Sequence, residues 1–358
     1  MKYNGGWGRA VIRLGALLLL AFGCVCMAGE LLGKWRTPAR QEEDRTNGQA
    51  VEVTADGNYI KWVEFHVTNE AMAAAYDLDV DSYREEIHLN WIELLAYVGA
   101  KTGGKFDKNS VRKIEEVAEK LKSGDTMAEL TKDMEYYDYY LEAYTAVLGG
   151  MMGEFTLDGK HVYGLKAFSP IAKGFDYSHY DDFGSSRSYG YARPHLGHDM
   201  MGQIGTPIIA VESGYVEALG WNQYGGWRIG IRSFDKKRYY YYAHLRQNYP
   251  YAEGLAEGSV VTAGDVIGYM GHTGYSTTEN VNNIKTVHLH WGLQLIFDES
   301  QKEGNNEIWV DCYELSKFLY KNRCEVEKVG DSREWRRAVP MTDPSAETYR
   351  KKTETVVR

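Results

Sequence analysis

The sequence predicts a mainly β domain, an antiparallel sandwich or open barrel, preceded by a small α-helical domain and an N-terminal membrane segment. Three observations predict it. Lys2, Arg9 and Arg13 precede an apolar run from Leu14 to Gly29, the order of a signal peptide or an uncleaved anchor. Residues 59–153 carry apolar residues at spacings of three and four, the period of amphipathic helices. From Phe155 to about Phe297, short β-favouring runs alternate with glycines, as in an all-β sandwich or barrel.

The elements follow in order. Residues 1–36 read as the anchor, with Leu31 and Leu32 extending the apolar run past Glu30. The basic flank stays in the cytoplasm and the rest is exported. This places the protein at the cell membrane as a single-pass chain with an extracytoplasmic domain, or outside the cell if the leader is cleaved. Gly23-Cys24 also allows a lipid-attachment reading, which Ala21 and Phe22 fit poorly. Residues 37–58 are polar, with Pro38, Gly48 and Gly57, and read as a linker. Helices are expected at Glu70–Tyr76, Tyr83–Val98, Val111–Leu121 and Met127–Leu148, the last stopped by Gly149 and Gly150. Strands are expected at 208–211, 214–218, 227–231 and 239–243. Ile308–Tyr320 reads as a capping strand and helix that completes the domain at 154–325. Residues 326–358 read as a polar, poorly ordered tail.

Composition bounds the function. Hydrophobic residues make up 44% and charged residues 25% of 358, which excludes wholesale disorder. A net charge of -9 without any basic block argues against nucleic acid as a partner. The 28 Tyr are mostly strand-filling residues. Cys312 and Cys324 could pair in an exported protein or stand as two thiols, and no CxxC or Cys/His finger spacing occurs. HExxH, GxSxG, P-loop and dinucleotide fingerprints are absent.

The chemistry-bearing pattern is histidine. In His195-Leu-Gly-His-Asp199 the even separation of His195 and Asp199 puts both on one side of an extended segment. His288-Leu289-His290 shares one strand face in the same way, and His244 ends the strand before it. Taken singly, an HxxxD is commonplace and an HxH is more often a half-buried polar pair. Together they offer His195, Asp199 and one of His288 and His290 as three ligands, leaving a fourth position as catalytic zinc requires. His66 and His88 in the helical region, His198, and His272 in a glycine-rich turn are read as packing or surface residues.

Further motifs surround these: Gly205-Thr206-Pro207-Ile208-x-Ala210, Ser213-Gly214-x-Val216, Tyr242-Ala243-His244-Leu245, Gly264-Asp265-Val266-Ile267-Gly268, Gly271-x-Thr273-Gly274-Tyr275-Ser276 and His288-Leu289-His290-Trp291-Gly292. With His195-x-Gly197-x-Asp199, they make the stretch from Arg193 to Phe297 resemble the LytM-type (M23, lysostaphin-like) zinc metallopeptidases. The resemblance covers roughly a third of the chain and the whole of the expected catalytic domain. It implies Zn2+ as cofactor, His195, Asp199 and His290 as its ligands, and His244 and His288 as catalytic histidines beside it. It also implies an upstream tyrosine at the oxyanion, for which Tyr189 is the candidate and Tyr191 its alternative. The implied substrate is the peptide part of bacterial peptidoglycan, cleaved by metal-activated water. The sequence departs from the family pattern by an insertion, Thr277–Thr286, before the HxH strand. It borders the cleft, as a substrate-shaping element or as a tolerated surface loop.

Two rivals are weighed. One is a catalytically silent module of the same family that binds peptidoglycan or regulates a partner, with the helical domain as the partner surface. The intact ligand set argues against it. The other is a biotinyl or lipoyl carrier, suggested by the glycine-and-valine rhythm of 205–216 and 260–268. It lacks an acceptor lysine in a tight hairpin and has no use for HxxxD and HxH.

Overall fold

The computed structural model describes residues 59–188, 192–304 and 306–356. The expected membrane segment and linker, and both Tyr189 and Tyr191, lie outside the described residues. Among the described residues no helix is long and apolar enough to cross a membrane.

Five helices come first: α1 (Asn69–Ser82), α2 (Trp91–Thr102), α3 (Ser110–Lys122), α4 (Met127–Thr131) and α5 (Tyr137–Leu148). Their starts follow local chemistry. Thr68 caps α1, and the Asn90 side chain accepts the Ile92 and Glu93 amides to start α2. The helix expected at 83–98 therefore begins only at Trp91. Ser82 Oγ and the Asp79 carboxylate take the Leu89 and Trp91 amides and shape the turn before it. The stretch 127–148 divides in two. Its first piece carries a capping box between Thr126 and Glu129.

The β region holds β1 (Met152–Leu157), β2 (Lys160–Leu165), β3 (Ser178–His179), β4 (Ser186–Ser188), β5 (Ala192–Pro194), β6 (His198–Met201), β7 (Pro207–Ile209), β8 (Gly214–Asn222), β9 (Gly226–Ser233), β10 (Arg238–Ala243), β11 (Val260–Val261), β12 (Val266–Tyr269), β13 (His288–Leu295) and β14 (Ile308–Val310). The main sheet runs β11-β8-β9-β10-β13-β6-β3, with β14 also on β13. All its pairings are antiparallel, and β7 with β12 forms a separate pair. The mainly β expectation and its strand positions are met.

Helices and sheet share one hydrophobic core. Trp91, Tyr144 and Phe65 belong to the same buried cluster as Tyr240, Leu293 and Phe318 of α6 (Tyr313–Leu319). The Phe318 ring meets those of Trp91 and Tyr76 at 5.9 and 6.0 Å. A buried charge network makes the same join. Arg238 donates to both Glu212 oxygens at 2.7 and 3.1 Å and to the Ala146 carbonyl at the end of α5 at 2.9 Å. Tyr240 donates to Glu212 at 2.7 Å. Gly150 leaves the space that the Glu212 carboxylate fills.

The tail is folded, contrary to expectation. It forms β15 (Val326–Lys328), β16 (Trp335–Arg337), β17 (Met341–Thr342) and α7 (Pro344–Val356). β17 extends the sheet of β1 and β2. The physical reason is a set of anchors spread through a charged segment. Ala346 is fully buried. Tyr349 stacks on Tyr215 and Phe234 at 5.5 and 4.6 Å, and Asp343 pairs with Lys166 at 3.1 Å. The optional disulfide is also absent: Cys312 and Cys324 are free, buried thiols. Each points at a carbonyl instead, Val310 at 3.4 Å and Gly264 at 3.2 Å.

Candidate metal centre and catalytic cleft

Strand register builds the site. On β13, His290 lies directly opposite Asp199 of β6 on one side and Ala243 of β10 on the other. A cross-strand pair of this kind brings side chains together on one face. His288 shares that face by the two-residue period. His195 arrives from the bend after β5. The result is a triangle of donor atoms. His195 Nε2, Asp199 Oδ1 and His290 Nδ1 are mutually 3.0 Å apart on all three sides. They form a group that could hold a metal ion.

The chemistry of the three atoms fits a cation. His195 Nδ1 faces the Asp182 carbonyl at 3.3 Å. A carbonyl only accepts, so Nδ1 carries a proton; Nε2 donates to Asp199 when the ring is protonated and offers its lone pair to a cation when the ring is neutral. Burial raises the Asp199 carboxyl, but hydrogen bonds from His195 and His290 outweigh it and hold its pKa far below the usual range. Burial likewise lowers His195, yet Asp199 and Asp182 overcome it and lift its pKa above the ordinary value. Lone pairs held 3.0 Å apart around a carboxylate make a pocket for positive charge. Two imidazoles and a carboxylate suit zinc.

Gly197 makes room for this. A Cβ there would stand 2.5 Å from His290 Cε1 and 2.6 Å from Nε2. The glycine of the HxGxD pattern is thus the surface against which the His290 ring lies.

His244 and His288 complete the cleft. Their rings are 4.7 Å apart, and that of His244 is 5.8 Å from His290. His288 Nε2 is 3.7 Å from Asp199 Oδ1. Each Nδ1 faces a carbonyl, Thr273 at 3.0 Å and Thr286 at 2.9 Å, which leaves Nε2 of each open to proton exchange. Burial, then the neighbouring His288 and His290, push the His244 pKa well below 6.5. His244 has φ +63°, left-handed backbone that is uncommon for a residue with a side chain. The strand ends there and the chain turns at this histidine.

The remaining histidines are elsewhere. His198 has the opposite parity from Asp199 and faces the core across from Trp291. It bonds His179 at 2.8 Å and Ser316 Oγ at 3.3 Å. His88 pairs with Asp79 at 2.7 Å, far along the chain from the cleft. His272 Nδ1 bonds the Ile284 carbonyl at 2.7 Å.

Two residues went unnoticed in the sequence. Arg187 donates to Asp199 Oδ2 at 3.2 Å and also to Asp182 Oδ2, while Asp182 receives His195. They turn the second Asp199 oxygen away from the triangle. Support of this sort orients metal ligands. No spacing signal marks them, because they reach the site from β4 and the loop before it.

Comparison with known proteins agrees with this geometry. Residues 193–303 match the model of peptidase family M23. The chain is similar to the L-Ala–D-Glu endopeptidase of Bacillus subtilis (strain 168), with 35% identity over 158 residues, 44% of this chain and 47% of that protein. It is similar to lysostaphin of Staphylococcus simulans, with 37% identity over 89 residues, 25% of this chain and 17% of that one. The chain therefore spans at most about half the length of these relatives. Among solved structures, the lytM chain of Ruminococcus gnavus aligns with a TM-score of 0.49 and 26% identity, over 74% of this chain and 91% of that one. Both named relatives matched in sequence are peptidases by name or kind, and the B. subtilis protein is named an endopeptidase.

Proposed function

We propose that the protein is a zinc-dependent endopeptidase that cuts peptide bonds of bacterial peptidoglycan, facing the cell envelope from a membrane anchor or after export. The observation that carries this reading is the 3.0 Å triangle of His195, Asp199 and His290 beside a second histidine pair. His195, Asp199 and His290 would hold the ion. When bound there, zinc supplies Lewis acidity, polarising a carbonyl and acidifying water. Arg187 and the Asp182 carbonyl keep the ligand atoms aimed inward. His244 and His288 offer Nε2 atoms that take a proton from water and return it to the departing amine. The peptide class comes from the relatives, of which one is named for an L-Ala–D-Glu bond. On that basis the stem-peptide glutamate is the residue proposed to lie at the cleft.

The test uses the full chain. Wild type should carry one zinc per chain and release peptides from isolated peptidoglycan, and His290→Ala should lose both. Zinc binding without release from any peptidoglycan tried would favour the silent, binding module. No zinc after reconstitution would remove the metallopeptidase reading.

A further inference from the structure

The insertion at 277–286 is latched rather than loose. Asn280 Oδ1 accepts the Trp227 indole N–H at 2.9 Å and the Asn248 amide at 2.8 Å. Its Nδ2 donates to Asn248 Oδ1 at 2.7 Å. Gln247 donates to the Asn280 carbonyl at 2.6 Å and accepts from Asn282 at 3.0 Å. Between this latch and the loop after His244 lies a cavity of about 300 Å³, lined also by Arg246, Tyr249, His272 and Arg333. Its floor includes Gly271, whose N–H donates to the His244 carbonyl at 3.0 Å and whose carbonyl accepts the His288 amide at 3.2 Å. The cavity is thus built on the backbone that carries both cleft histidines.

Its charge is one-sided. The Arg246 and Arg333 guanidinium groups lie 5.9 and 4.5 Å from the centre of the same Tyr249 ring, and Arg246 lies 4.3 Å from Tyr269. Arg246 Nε is held by the Tyr249 carbonyl at 2.9 Å. Among the described residues no carboxylate forms an ion pair with either guanidinium. One oxygen of the nearby Glu334, Oε2, accepts from the Tyr269 hydroxyl at 2.8 Å and the Glu253 amide at 3.1 Å. Burial lowers the Arg246 pKa, against the smaller opposing pull of Tyr269 and Glu334. Two arginines braced on aromatic rings, with Glu334 as a single nearby carboxylate, leave net positive charge that suits a planar carboxylate. A volume near the lower end of ligand sites suits one amino-acid residue rather than a sugar chain.

We propose that this cavity is a subsite for a carboxylate-bearing residue of the peptide substrate, gripped by Arg246 and Arg333 and edged by Asn282 of the 277–286 insertion. The proposal rests on the peptidase reading above and names what that peptidase selects. The probes are two matched peptides, one with D-Glu following L-Ala and one with D-Gln in its place. Binding of each to the full chain is measured by calorimetry with the metal chelated, and KM and kcat are measured with zinc. Wild type should bind the acidic peptide about 10-fold more tightly than its amide twin. Arg333→Gln and Arg246→Gln should reduce that preference to under about 3-fold, raising KM for the acidic peptide while kcat stays near wild type. Arg333 is exposed, so its variant remains informative if Arg246→Gln folds poorly. A wild type that does not distinguish the peptides, or an Arg333→Gln variant that keeps the full preference, overturns the proposal. If wild type cleaves neither peptide, cleavage at this bond is ruled out, and the chelated binding measurement still decides the subsite.

Discussion

Replacing Gly197 with alanine should cripple the metal centre without touching a ligand. The new Cβ would sit 2.5 Å from His290 Cε1, about 0.9 Å inside the 3.4 Å at which ordinary contact begins. The Trp291 carbonyl at 3.0 Å limits retreat of the glycine backbone, so the imidazole must move. Metal–ligand distances tolerate about 0.2 Å. A displacement several times larger should weaken zinc binding on the order of 100-fold, about 2.7 kcal/mol. The same overlap should cost about 1–3 kcal/mol of stability in the metal-free protein. Two measurements check this: competition with a chromogenic chelator for affinity, and urea unfolding for stability. Repeating the substitution in a His290→Ala background isolates the cause, since most of the stability cost should vanish once the ring is gone. Wild-type zinc affinity in Gly197→Ala, or an undiminished stability cost beside His290→Ala, would refute the packing argument.

Other outcomes follow from the same structure. Burial, then His179, pulls the His198 pKa down to about 3, against an ordinary value of 6.5. Its stabilising effect is complete above pH 6.5 and is lost as pH falls toward 3, because only the unfolded chain takes the proton. Between pH 6.5 and 5, wild type should therefore lose about 2 kcal/mol more than His198→Asn in urea unfolding, and equal losses would count against it. Arg238→Met strands the Glu212 carboxylate, itself nearly buried, and should cost about 3–5 kcal/mol. The double change Arg238→Met with Glu212→Leu should recover part of that loss. Burial raises both thiols, Cys324 to about 11 and Cys312 further. Peptide mapping after alkylation should find both unmodified in the native protein, modified after denaturation, and never joined to each other.

Much of this site was legible because its spacing is local. Parity along β13 puts His288 and His290 on one face, and the same parity applied to β6 would have sent His198 to the core. The triangle needs β6 and β13 to pair in register and His195 to approach from the segment between β5 and β6. Asp182 and Arg187 were not legible, since a loop residue reaches a ligand through tertiary contact and leaves no period. The tail escaped for a related reason. Met341, Ala346 and Tyr349 are single anchors among charges, and composition averages them away. The helical region was legible as helices. Its merger with the sheet was not, because periodicity reveals an apolar face without naming what covers it.

The Arg238 bond to the last turn of α5 bears on how such a protein can be taken apart. The segment that matches the peptidase family begins at residue 193, yet an acceptor for a buried guanidinium comes from Ala146. The partners of Phe318 come from residues 76 and 91. A fragment cut at the edge of the recognisable peptidase would keep His195, Asp199, His244, His288 and His290, lose Asp182 and Arg187, and expose a charge and an aromatic surface that the helices now cover. The length of chain that can be recognised and the length that can stand alone are set by different forces. Here the packed unit, spanning residues 59–356, is more than two and a half times as long as the matched segment 193–303.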